Sequence, residues 1–148
     1  MSETRESVRL TQTRNFQFDI RFGEDLPALQ SDEPPPIGEG GGPTPVQLLA
    51  AAVGNCLSAS LLFALRKYKQ APEPLACTVQ AEVGRNAQGR LRVLGLQVDL
   101  HLGVAASALD HLDRVLSSFE SFCTVTQSLT SAIPVQVGVF DAEGAKLK

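Results

Sequence analysis

A chain of 148 residues is long enough to bury one domain-sized core, and 43% hydrophobic with 20% charged residues excludes a disordered polymer. A net charge of -3 and the lack of a dense Lys/Arg cluster exclude an electrostatic pull toward nucleic acid or an anionic membrane. Three cysteines are too few, and odd in number, for a secreted disulfide scaffold, and MSETRESVRL lacks the apolar stretch of a secretion signal, so a reducing, cytoplasmic setting is expected.

Taken in chain order, residues 1–7 are polar and expected to be flexible. Val8 and Leu10, then Phe16, Phe18, Ile20 and Phe22, alternate with polar residues and predict a hairpin bending near Thr13–Asn15. Residues 23–45, rich in Pro and Gly, predict a long loop with a short strand near Ala28–Ser31. A helix follows over 45–69. Thr44 is its N-cap, Pro45 suits its first turn, and Arg66, Lys67 and Lys69 suit its negative pole. This helix is apolar on nearly every face, so it needs cover all round. A membrane span is the weaker alternative, because Gly54, Asn55, Ser58 and Ser60 interrupt the apolar run.

Pro72 and Pro74 end the helix. A strand from Leu75 to Val83 places Cys77, Val79, Ala81 and Val83 on one face, and Asn86–Gly89 turns the chain. A second strand, Leu91 to Leu102, places Leu94, Leu96, Val98, Leu100 and Leu102 on one face. Helical spacing of Leu109, Leu112, Leu116 and Phe119 predicts a helix over 106–121, followed by a short helix after Thr124 and a strand over 134–140. The expected fold is a single α+β domain over 1–148. So small a chain cannot cover its central helix alone, so an intertwined homodimer is expected.

The cysteines carry the candidate chemistry. Cys77, on the apolar face of a strand, reads as a core residue. Thr124 and Gln127 match a capping box, which puts Cys123 just outside a helix N-terminus, where the dipole favours a thiolate; an ordinary buried thiol is the alternative. Cys56 lies mid-helix among apolar neighbours, which makes it inert unless a cation lies near. No metal-ligand spacing appears, and His101 and His111 fall on polar faces. The run Gly38–Gly42 lacks the Gly-Lys-Ser/Thr ending of a phosphate loop. No cofactor or metal is implied.

The stretch GPTPVQLLAAAVGNCLSASLLFALRK resembles the signature helix of OsmC/Ohr-like proteins, and FCTVTQSL resembles their second cysteine motif. The resemblance spans most of the chain. It implies an intertwined dimer with curved antiparallel sheets around two central helices. It also implies a thiol peroxidase with Cys56 as peroxidatic and Cys123 as resolving cysteine, a small-molecule peroxide as substrate and a dithiol, lipoyl-type for example, as reductant. An arginine of the N-terminal hairpin would hold the Cys56 thiolate. Arg14 matches best; Arg9 and Arg21 are weaker candidates. Val46 stands where the family carries the glutamate that orients this arginine. Gln47, Glu39, Glu33 and Asp32 are the possible replacements. The alternative is a non-catalytic dimer that binds a small apolar ligand at its subunit interface.

Overall fold

The computed structural model describes residues 2–148, which form two compact units, one ending at Leu48 and one beginning at Leu49. In the first unit, β1 (Arg9–Arg14), β2 (Gln17–Arg21) and β3 (Leu29–Ser31) make an antiparallel sheet in the order β1-β2-β3. The bend between β1 and β2 is allowed by Asn15, whose φ of 50° lies in the left-handed region that asparagine tolerates. Ile20 is buried, while Leu10, Phe16 and Phe22 stay exposed.

Helix α1 (Pro45–Lys67) starts at the end of this unit and runs through the second. Its N-terminus is a reciprocal capping box. The Gln47 amide donates to Thr44 Oγ1 at 3.2 Å, and Gln47 Oε1 accepts from the Thr44 amide at 2.9 Å.

The second unit holds β4 (Ala76–Arg85), β5 (Leu91–His101) and β6 (Val135–Phe140), in that order across the sheet. β4 and β5 are antiparallel, but β6 runs parallel to β5, so the expectation of purely antiparallel sheets is corrected here. The reason is the connection. A parallel pair needs a crossover, and the chain supplies one through α2 (Leu112–Ser118), α3 (Thr124–Leu129) and flanking 3-10 turns. Leu57, Leu61 and Leu65 of α1 pack with Leu96, Val98 and Leu100 of β5, Val139 of β6 and Val115, Leu116 and Phe119 of the crossover.

Two further details depart from the sequence pattern. The β4–β5 register shifts at Glu82/Val83, so Leu94 is an extra residue on β5. Leu94 is exposed and Val93 packs toward the core instead. The predicted helix over 106–121 is broken into a 3-10 turn (Ala106–Ala108), α2 and a second 3-10 turn (Phe119–Phe122). His111, left-handed at φ 60°, starts α2, and the hydroxyls of Ser117 and Ser118 both donate to the Arg114 carbonyl, competing with the helical ladder.

Candidate functional site

Beyond Leu48, α1 is divided lengthwise. Ala50, Val53, Gly54, Leu57, Leu61 and Leu65 form a buried stripe, and Ala51, Ala52, Asn55, Ala59 and Phe63 are exposed. Cys56 lies at the border, partly buried and packed against the core. The helical period gives it this position, which neither seals it in nor turns it fully outward.

Cys123 is wholly buried in the core beside Cys56. It is itself the N-cap of α3: its carbonyl accepts the Gln127 amide at 3.0 Å. The predicted box led by Thr124 is therefore displaced by one residue, and the Gln127 side chain turns back to donate to the Glu120 carbonyl at 3.1 Å. The Cys123 thiol donates to Thr126 Oγ1 at 3.1 Å. Burial pushes this thiol up, hydrogen bonding with the Cys56 side chain pushes the same way, and Thr126 opposes them. The expectation of a dipole-stabilised thiolate at Cys123 is thus corrected: a six-residue helix offers little dipole against complete burial. Thr126 was missed from sequence. Its signal was the spacing, since a residue three after an N-cap faces the cap.

Cys77 pairs across the sheet with Leu100 and borders Gly54 on α1. Burial pushes its thiol up, the Asp99 charge adds to this, and Ser58 opposes both. The three cysteines carry free thiols, and no cluster of three or more metal-ligating side chains occurs among the described residues.

In the first unit, Arg14 forms an ion pair with Glu39. Gln17 Nε2 donates to Glu39 Oε2 at 3.0 Å and to Asp32 Oδ2 at 3.1 Å. Asp32 is buried, 1% exposed, and also accepts the amides of Glu33, Glu39 and Gly41 at 2.7, 3.3 and 2.9 Å. The Gly41 amide, with Gln17 and the other two amides, holds its carboxyl below the usual range against the opposing effect of burial. Gln47 caps α1 instead, its amide oxygen accepting from the Thr44 amide, and Arg14 pairs with Glu39. Arg9 and Arg21 face each other across β1 and β2, both exposed. The candidate residues thus fall into two sets: Arg14, Gln17, Asp32 and Glu39 in the first unit, Cys56, Cys123 and Thr126 in the second. One set can hold a guanidinium in a fixed posture. The other pairs a half-accessible thiol with a buried one.

A family model described as OsmC-like protein matches residues 38–138. Among solved structures, the chain is similar to an OsmC-like protein of unknown function from Vibrio cholerae, with a TM-score of 0.78 and 15% identity over 93% of this chain and 100% of that one. It is also similar to an organic hydroperoxide resistance protein, OsmC, from Legionella pneumophila (TM-score 0.67, 18% identity, 94% and 98% covered). The organic hydroperoxide resistance protein OhrB of Bacillus subtilis is a third (TM-score 0.70, 13% identity, 92% and 98% covered). No curated protein matches the sequence. At these identities, likeness to the solved structures extends to the fold.

Proposed function

The chain belongs to the OsmC-like family, and from that premise we propose that it is a thiol-dependent peroxidase reducing organic hydroperoxides through Cys56 and Cys123. The observation that carries this is the pairing of a partly exposed thiol on α1 with a buried thiol beside it that is held in its neutral form. Such asymmetry suits a division of labour. The nucleophile must be reachable, whereas the resolving thiol only has to wait nearby. The two relatives named for organic hydroperoxide resistance favour the same substrate class.

In the proposed cycle, the Cys56 thiolate attacks the outer peroxide oxygen. The O–O bond breaks, the departing alkoxide takes up a proton and leaves as an alcohol, and Cys56 becomes a sulfenic acid. The Cys123 sulfur then attacks the Cys56 sulfur, forming a disulfide and expelling water. A dithiol, lipoyl-type for instance, reduces the disulfide through a mixed disulfide and is itself oxidised. Arg14 is assigned the role of stabilising the Cys56 thiolate. Its ion pair with Glu39 supports this, because Glu39 supplies the charged acceptor that Val46 does not. The working form is a homodimer in the cytoplasm.

One equivalent of an organic hydroperoxide, followed by mass spectrometry of the intact and digested protein, tests the assignment. The expected product has lost two hydrogens, mapped to a link between Cys56 and Cys123, and Cys56→Ser consumes peroxide no faster than buffer. If both thiols stayed reduced in excess peroxide, or the serine variant turned over like wild type, the peroxidase would be excluded in favour of a non-catalytic dimer.

A further inference from the structure

The glycine run Gly38–Gly42, unexplained as a phosphate loop, has a different occupant: a carboxylate of the chain itself. Asp32 leaves the end of β3 and is sealed from solvent with no cation against it among the described residues, a costly position for a charge unless donors converge on it. Four donors do so. They are the amides of Glu33, Glu39 and Gly41 and the side chain of Gln17. The surrounding backbone is drawn in tightly. Gly38 donates to the Pro34 carbonyl and Gly40 to the Glu33 carbonyl, each at 3.0 Å. A Cβ on Gly38 would lie 2.1 Å from the Glu33 oxygen and 2.4 Å from Asp32 Oδ1, and one on Gly42 would lie 2.0 Å from the Gln30 oxygen. Glycine is required at Gly38 because the loop closes around the carboxylate, and at Gly42 because the returning chain lies against the backbone of Gln30 and Ser31.

We infer that Asp32 is a positioning residue for the Arg14–Glu39 pair: its buried carboxylate fixes the loop that carries Glu39 and, through Gln17, the Glu39 carboxylate itself. Two like charges this near would repel, but Gln17 donates one amide group to both and converts repulsion into a fixed spacing. Glu39 is then tethered twice, by its own amide on Asp32 and by its carboxylate on Gln17, before it meets Arg14. The ionised form of Asp32 is essential, because every group facing its oxygens is a donor. Asn in its place would keep the size and turn an NH2 toward an N–H.

This inference rests on the role proposed for Arg14. The experiment measures how fast iodoacetamide alkylates Cys56 at neutral pH, followed by peptide mass spectrometry, in wild type, Arg14→Met, Glu39→Gln, Asp32→Asn and Gln17→Leu. A thiolate that loses a well-held guanidinium reacts more slowly, so Arg14→Met, Glu39→Gln and Asp32→Asn are each expected to slow alkylation by about three- to tenfold. Gln17→Leu should slow it in the same direction. A merely structural Asp32 would give no slowing, since a loosened loop leaves the rate unchanged or raises it. If Arg14→Met is slow while Asp32→Asn keeps the wild-type rate, positioning by Asp32 is excluded and the role of Arg14 stands. If Arg14→Met itself keeps the wild-type rate, the role of Arg14 falls and the inference with it. Should Asp32→Asn fail to fold, Gln17→Leu decides: slowing supports the inference and a wild-type rate overturns it.

Discussion

Cys123 and Cys77 show how burial, acting on single side chains, sets both reactivity and stability. Each thiol is pushed up by burial in the folded chain, whereas in the unfolded chain it ionises near the ordinary value of 9.0. Below that pH both states keep the proton and the stabilising contribution is complete. Above it the unfolded chain gives up its protons first, so stability falls with rising pH until the folded thiols ionise as well. Urea unfolding followed from about pH 8 to about pH 10 should therefore show a decline that Cys77→Ala makes shallower. Parallel pH curves for the two proteins would mean that Cys77 does not take part. The same balance explains why local sequence misled at Cys123. A cap position next to a short helix was legible, but complete burial among residues far away in sequence was not, and burial is the larger effect.

At the scale of elements, what the sequence made legible was whatever depends on local periodicity: the N-terminal hairpin, the long helix, the β4–β5 pair and the last strand. What it left hidden depends on pairing between distant segments. The direction of β6 follows from where the crossover delivers it, and the bulge at Leu94 appears only when β4 and β5 are laid together. For the candidate site, Cys56, Cys123, Arg14 and Glu39 were all visible as residues. The pairing of Arg14 with Glu39, and the use of Gln47 as a helix cap, depend on how the intervening loop folds. Gly54 is another contact of this kind. A Cβ there would stand 2.6 Å from Val79 Cγ2 and 3.2 Å from Cys77 Sγ, so helix and strand meet at a distance only glycine allows. Val79 is β-branched and cannot easily swing its methyl aside. Gly54→Ala gains about 1 kcal/mol of helix propensity against roughly 1–3 kcal/mol of overpacking, so a net loss of up to about 2 kcal/mol is expected in denaturant unfolding. A more stable variant would show that α1 and β4 can separate at no cost.

For the whole molecule the decisive feature is the uncovered side of α1. Its most apolar stretch has a mean hydropathy of 2.0, yet only 28% of that stretch is buried. Phe63 is 73% exposed, with Ala51, Ala52 and Ala59 on the same side. Length and hydropathy alone would let this helix cross a membrane. A spanning helix, however, would not devote Leu57, Leu61 and Leu65 to packing against a sheet and a crossover of the same unit. Nor would it keep Asn55 on its open side. In the homodimer proposed above, a second copy of the chain presenting the same apolar stripe would satisfy both faces at once and would be self-complementary, as a two-fold interface requires. If that dimer forms, Phe63→Asp would remove about 1.5–3 kcal/mol of side-chain burial per subunit and add a charge that the interface could not solvate, so the proposed dimer should dissociate at least about tenfold more readily. Sedimentation equilibrium measures this directly. Wild type should sediment as a dimer at micromolar concentration and the variant should shift toward monomer. A monomeric wild type would leave the open face of α1 needing some other cover and would remove dimerisation from the proposal.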